Sequence, residues 1–290
     1  MMTALALTRD EVIARSAALP SFPRFITDIL AALDDPEASL TLLAACVIRD
    51  PIITARVLSV ANMVSMRSRS MSEVTDIYTA ISLIGMSAVR KITLTSCIGA
   101  FVAGVAAPGL PATFWQHCVS VGVCCEELTL HTAVPVSTDA ALIAGLLHDI
   151  GQIWLYSFNP DLYTSSWQLA LTHARGINDV EREHFGVDHS MIGAWLANHW
   201  ELPANIEAAI AGHHYPDDNL AIPLGPLVHV AEVLSNALDL GQRDENRVTF
   251  LSSAACQQLE LDWDASIRPL FGRIEARSRH ADTFFAAAKS

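Results

Sequence analysis

Ala140-Ala-Leu-Ile-Ala-Gly-Leu-Leu-His148-Asp149-Ile-Gly151 is the stretch that decides the reading of this chain. Eight apolar residues run straight into an imidazole and a carboxylate. The segments on either side carry apolar residues at helical spacing and no period-two alternation, so the run reads as a helix over about 138–157. An ionised aspartate in an apolar helix is costly unless it is paired or bound to a metal. The plain alternative is a helix-terminal pair in which Asp149 bonds nearby backbone.

Working outward, the same periodicity recurs along the chain and predicts an all-α fold. Thr8-x-x-Glu11 is a capping box for a short first helix. Leu19-Pro-Ser-Phe-Pro23 is a stiff turn before a helix to about Leu33, which Asp34-Asp35-Pro36 ends. Ser39 opens a helix to Ile48. Asp50-Pro51 restarts the chain as N-cap and first helical residue of a helix over Ile52–Asn62. Met63–Ser72 reads as a loop rich in Ser, Met and Arg. Helices follow at about Ile77–Ile84 and Ser87–Val105, with Gly85 closing the first. The back of the chain reads as helices at about 112–131, 138–157, 161–174, 178–185, 189–199, 203–213 and 225–240, with Asn178-x-x-Glu181 as a second capping box. Three blocks result: a front helical lobe (1–110), a helical bundle (111–240) and a helical tail (241–290) placed back on the front lobe.

Length and composition bound the answer. The chain has 290 residues, 51% of them hydrophobic and 17% charged. That length buries about three quarters of the unfolded surface without a disulfide or metal staple, and the composition excludes global disorder. Residues 1–110 hold nine basic and nine acidic residues, so the whole net charge of −13 lies in residues 111–290. A nucleic-acid binder would carry the opposite sign. The six cysteines show no CxxC pattern and read as reduced thiols of a cytoplasmic protein. No secretory signal is evident, because Arg9, Asp10 and Glu11 interrupt the first apolar stretch. The uncharged segment between Lys91 and His117 is broken at Pro108, Gly109 and Pro111. Its apolar part, Ile98–Ala107, is too short to span a bilayer and reads as a buried helix.

Ten of the eleven histidines lie between residues 117 and 229. His117 sits on a helix with Val121 and Cys124/Cys125. His189 follows Asp188, a helix cap, and Gly193 leaves room one turn on. His213-His214 ends a helix before Pro216, and Glu232 lies on a late helix. Each alone has an ordinary reading: core histidine, helix end, solvated pair. Their order, His, His-Asp, His, His-His, Glu, is what points to metal ligation. His131, His173, His184, His199, His229 and His280 fit no spacing.

That order resembles the HD superfamily of metal-dependent phosphohydrolases and, with the extra His and the His-His pair, its cyclic di-GMP phosphodiesterase subgroup. The front residues sharpen the match. Leu19-Pro-Ser-Phe-Pro23, Asp50-Pro-Ile-Ile-Thr-Ala-Arg-Val-Leu-Ser-Val-Ala-Asn62 and Ala80-Ile-Ser-Leu-Ile-Gly85 are similar to the HDOD family, the "HD-related output domain" of bacterial signalling. So are Phe185-Gly-Val-Asp-His189 and Trp200-Glu-Leu-Pro203 before His213-His214. The resemblance covers about residues 18–240. It implies an HD-type helical bundle and metal ligands at His117, His148, Asp149, His189, His213, His214 and Glu232, the last where the superfamily usually has Asp.

Three departures accompany it. Gln152 stands where the phosphodiesterases have a Lys, whose charge would help stabilise a phosphoryl transition state. Their Gly-Tyr-Pro continuation is absent, since His214 runs into Tyr215-Pro-Asp-Asp. Thr113 replaces a carboxylate, which argues against a third metal. The resemblance therefore implies a bacterial, cytoplasmic regulatory protein offering a scaffold to signalling protein partners, without nucleic acid or membrane. Its site is degenerate or regulatory, with one or two divalent transition metal ions (Fe, Mn or Zn) or none. The alternative is a metal-dependent phosphohydrolase acting on a cyclic or other nucleotide, with Asp149 and a metal-activated water at its catalytic centre. A third reading is a nucleotide ligand bound without turnover. The input to a regulatory protein of this kind would come from a partner or a ligand.

Overall fold

A computed structural model describes residues 5–31, 36–67, 73–105, 112–241, 250–261, 263 and 267–286, and these contain helices and no strand. The fold is all-α, as the periodicity predicts. In chain order the helices are α1 (Arg9–Ser16), α2 (Arg24–Ala31), α3 (Pro36–Arg49), α4 (Pro51–Arg67), α5 (Ile77–Ile84), α6 (Met86–Val105), α7 (Ala112–Leu128), α8 (Thr138–Leu147) and α9 (Ile150–Phe158). They continue with α10 (Pro160–His173), α11 (Ile177–Phe185), α12 (His189–His199), α13 (Ala204–Gly212), α14 (Leu224–Ala237), α15 (Ser253–Gln258) and α16 (Ile267–Ala286).

Two compact units emerge, residues 21–103 and residues 1–20 with 104–290. This division differs from the three blocks read in the sequence. Helix α1 belongs to the back unit: the Trp154 indole donates to Ser16 Oγ (3.0 Å), and Leu5 and Leu7 amides donate to the carbonyls of His184 and Phe185. The described part of the tail packs within the back unit. Helix α16 packs on α7, where Arg277 pairs with Glu126 and Glu127, and Arg273 pairs with Glu127. The breaks expected at Asp34–Pro36 and Pro108–Pro111 lie, apart from Pro36 itself, outside the described residues.

Several caps stand where the sequence places them. Thr8 and Glu11 form the reciprocal box at α1. The Asp50 carboxylate accepts from the amides of Ile52 and Ile53 at the start of α4. Gly85 closes α5 at φ +83°, a conformation that suits glycine. Helix α4 runs to Arg67, so the first five residues of the expected loop are helical; Met63 and Met66 ride exposed on its last turns, and residues 68–72 lie outside the described chain. Helix α6 is also longer than its apolar part suggested. At 20 residues it has the length and composition to cross a membrane, the one such helix among the described residues. Val89, Leu94, Ile98 and Phe101 on it are buried, and the Phe101 ring meets Phe22 edge-on at 5.1 Å. That is how a core helix packs.

Candidate metal centre

The helix expected over 138–157 is two helices. The chain breaks at Asp149 (φ −99°, ψ 12°), between α8 and α9. The break lets consecutive side chains, His148 and Asp149, both turn inward, which an uninterrupted helix would splay by about 100°. Both are buried.

Glycines bring the other ligand-bearing helices close. A Cβ at Gly145 on α8 would sit 2.7 Å from Gly122 Cα of α7, so these two backbones touch. That contact delivers His117 from α7 next to His148. A Cβ at Gly151 on α9 would overlap the His189 carbonyl oxygen of α12, and one at Gly193 would lie 2.8 Å from Ile210 Cγ2 of α13. Gly193 is thus a packing contact between α12 and its neighbours rather than open room beside His189. These approaches bring α12 and α13, with His189 and the His213-His214 pair, to the same centre.

Asp149 stands between two groups of nitrogens. Its Oδ2 lies 3.4 Å from His148 Nε2 and 3.6 Å from His117 Nε2. Its Oδ1 lies 3.2 Å from His189 Nε2 and 4.0 Å from His213 Nε2. His117, His148 and Glu232 bring their ligand atoms within 4.8 Å of one another, and so do His189, His213 and His214. All seven residues expected as ligands therefore converge, as two triads on either side of one carboxylate.

The histidines are oriented by what holds their other nitrogen. His148 Nδ1 donates to the Gly145 carbonyl and His213 Nδ1 to the Ile210 carbonyl, both at 2.7 Å. His189 Nδ1 donates to Glu181 Oε2 at 2.6 Å. In each neutral ring the Nε2 lone pair then points at the centre. Nε2 of His117 faces Nε2 of His148 at 3.2 Å, and Nε2 of His214 faces Nε2 of His189 at 2.9 Å. His213 Nε2 is buried with no hydrogen-bond partner. Converging lone pairs around a buried carboxylate repel unless a cation or shared protons lie between them, so the donor set fits divalent metal ions. Imidazole with carboxylate suits Zn, Fe or Mn.

The acid–base balance without metal shows the same pressure. Burial pushes the His189 imidazole down, but Glu181 and Asp149 override it and hold it well above its ordinary pKa. His148 is raised against its burial by Asp149. His213 is pushed down to about 3 by burial and by the neighbouring His148 and His189, and His214 falls well below its ordinary value. Asp149 stays far below the carboxylate range, because His148 and His189 outweigh its burial. The carboxylates thus favour the charged form of His148 and His189 against the cost of burying it.

Two supporting residues escaped the sequence reading. Glu181 does not close a capping box; Gly176 is the N-cap of α11, and Glu181, fully buried, holds His189 through both its amide (2.8 Å) and its ring. Asn178 instead donates to Tyr215 Oη. A glutamate one turn into a helix satisfies the capping pattern by spacing alone, and only the tertiary fold shows where it turns. Gln152, which stands at the position of the missing lysine, is turned to Asp149. Its amide N–H donates to Asp149 Oδ1 (2.7 Å), and its carbonyl accepts from Tyr163 Oη (2.8 Å). Three other histidines have partners of their own: His184 bonds Ser166, His131 meets Arg273, and His229 ties the His213 carbonyl to the Ser252 amide. The tail's Ser252 also donates to Asp217 just beyond His214.

The model of the HDOD domain matches residues 19–216. The chain belongs to the HDOD family. The HDOD fold is shared with a solved HDOD domain protein of unknown function from Geobacter sulfurreducens (22% identity, TM-score 0.76, 94% of this chain and 96% of that one). It is also shared with a protein provisionally named a phosphohydrolase from Shewanella amazonensis (21% identity, TM-score 0.66, 94% and 96%). A curated relative, an uncharacterized protein from Treponema pallidum, is 22% identical over 196 residues; these cover 68% of this chain and 37% of the relative's length. At these identities the likeness is one of fold.

Proposed function

We propose that this HDOD protein is a cytoplasmic, bacterial regulatory protein whose histidine–carboxylate centre holds one or two divalent transition metal ions (Fe, Mn or Zn) as a structural and signalling element rather than for turnover. The observation that carries this reading is the convergence of a full ligand set inside the protein. His117, His148, Asp149, His189 and His213 are each at most 1% exposed, and only His214 and Glu232 are half-buried. Bound metal would supply Lewis acidity there and bind the five helices α7, α8, α12, α13 and α14 together. Binding to the native state alone then adds stability with metal concentration. His117, His148, Glu232 and Asp149 would form one half of the holder, and His189, His213, His214 and Asp149 the other.

Two features support regulation over hydrolysis. Gln152 is held by Asp149 and Tyr163, so no cation stands at that position to meet a phosphate oxygen. The chain after His214 turns at once into Tyr215-Pro216 and a short 3-10 helix tied to Ser252, with no substrate-reading loop. Output through a protein partner is supported by exposed apolar side chains of the 21–103 unit, including Ile52, Met63, Met66 and Tyr78. Methionines suit an adaptable contact.

The complete ligand set favours a second reading, a metal-dependent phosphohydrolase acting on a nucleotide. The deciding experiment is elemental analysis of the purified protein beside hydrolysis of cyclic di-GMP and of a chromogenic phosphodiester. The regulatory reading expects stoichiometric metal, lost in Asp149→Asn, and no turnover above background. Robust hydrolysis that Asp149→Asn abolishes would establish the second reading.

A further inference from the structure

We infer that Glu181 is the positioning residue that makes His189 the strongest donor of the centre, so that the His189–His213–His214 triad takes up metal ahead of the His117–His148–Glu232 triad. The inference rests on the metal-holding reading and adds an order of filling and the residue that sets it.

Geometry sets Glu181 apart. His148 and His213 are oriented by neutral backbone carbonyls, whereas His189 is oriented by a carboxylate. A carboxylate on Nδ1–H pulls on the proton as charge moves from Nε2 to a metal, which raises the donor strength of the ring; partners of this kind typically alter metal affinity 10–100-fold. Glu181 is fully buried, and its Oε2 takes both the amide and the ring N–H of His189. Its Oε1 is buried without a hydrogen-bond partner. The carboxylate therefore spends its hydrogen bonding on His189 and none on capping its own helix. A carboxyl group buried on such terms is costly to keep for packing alone.

The surrounding chain fixes the same element from a second side. Arg182, the next residue of α11, pairs with Asp188 Oδ2 at 2.6 Å. Asp188 Oδ1 in turn accepts from the Met191 amide and the Ser190 hydroxyl and caps α12. Consecutive residues of α11 thus hold the His189 ring and the helix end that carries it. The opposite triad is anchored differently, with Glu232 half-buried and His148 on a carbonyl.

The test is titration of the metal-free full-length protein with Co(II), in competition with a chromogenic chelator, for wild type, Glu181→Gln and Glu181→Ala. The amide keeps the shape and the acceptor of Glu181 but removes its charge. The expected result is two binding steps in wild type. In Glu181→Gln the tighter step weakens about 10–100-fold while the weaker step is unchanged, and in Glu181→Ala the loss is larger. The Co(II) absorption bands of the first-filled site should shift in Glu181→Gln. Equal weakening of both steps would mean that Glu181 only supports the fold, and unchanged titration would remove its role; either overturns the proposal. Wild type that binds no Co(II) would instead overturn the metal-holding reading beneath it. Nitrogen NMR of His189 in the wild-type protein gives a check free of any variant. Nδ1 protonated and Nε2 metal-bound is expected, and the opposite tautomer would refute the inference.

Discussion

Gly151→Ala tests how the centre is assembled. The added methyl group would overlap the His189 carbonyl oxygen and lie 2.8 Å from that carbonyl carbon and 2.9 Å from the Gly193 amide nitrogen. Ordinary carbon contacts begin near 3.4 Å, and every neighbour here is backbone, so no side-chain rotation relieves the clash. With the carbonyl oxygen 2.0 Å from the new methyl group, helices α9 and α12 must separate by about an ångström. Overpacking of this kind costs about 1–3 kcal/mol. Alanine's better helix propensity returns at most about 1 kcal/mol, so the variant remains destabilised. At about 2–4 °C per kcal/mol for a protein of this size, Tm should fall by several degrees. Because α12 carries His189 and α9 follows Asp149, metal affinity should fall with it. Differential scanning calorimetry of the apo and metal-loaded forms reads both. An unchanged Tm in both forms would refute the claim that the α9–α12 approach builds the site.

Other consequences follow from particular contacts. Gln152→Leu removes the donor on Asp149 Oδ1 and the acceptor of Tyr163 Oη; it should lower Tm by an amount matching about 1–3 kcal/mol and weaken metal binding, measured by thermal unfolding and chelator competition. The Glu127 carboxyl, against its burial, is held below its ordinary pKa by Arg277 and Arg273. Its folded value is depressed, so its stabilisation is present above about pH 4.3 and is lost as the pH falls through the lower folded value. Limited proteolysis should therefore release α16 more readily below about pH 4, and Arg277→Ala should give the same release at neutral pH. Asp188→Ala removes the cap of α12 and the Arg182 pair, and urea unfolding should show a loss of about 1–2 kcal/mol.

The fold class was legible because helical periodicity and caps are local: Thr8–Glu11, Asp50 and Gly85 act within one turn of themselves. The ligand set was legible because its order along the chain resembles that of a family whose bundle brings those positions together. What the sequence hid is tertiary. The apolar run through His148-Asp149 carries no breaker, so the kink that turns both side chains inward has no local signal. Glu181 matched a capping box by spacing, yet its carboxylate bonds His189 eight residues away. Gln152 read as an absent charge, when it is the donor that fixes Asp149. The placement of α1 and α16 depends on contacts between residues more than a hundred apart, such as Trp154 with Ser16 and Arg277 with Glu127.

The central claim is that two histidine triads around Asp149 form a holder for divalent metal inside an HDOD protein. Its most direct test is the metal content of the full chain purified from medium supplemented with Fe, Mn and Zn, measured by mass spectrometry and set beside His148→Ala and His213→Ala. The account predicts one to two equivalents in the wild type, a loss of metal in each variant, and a wild-type Tm that drops on chelation and recovers on adding metal back. Wild-type protein that carries no metal and shows no change in Tm with added Fe, Mn or Zn would contradict it.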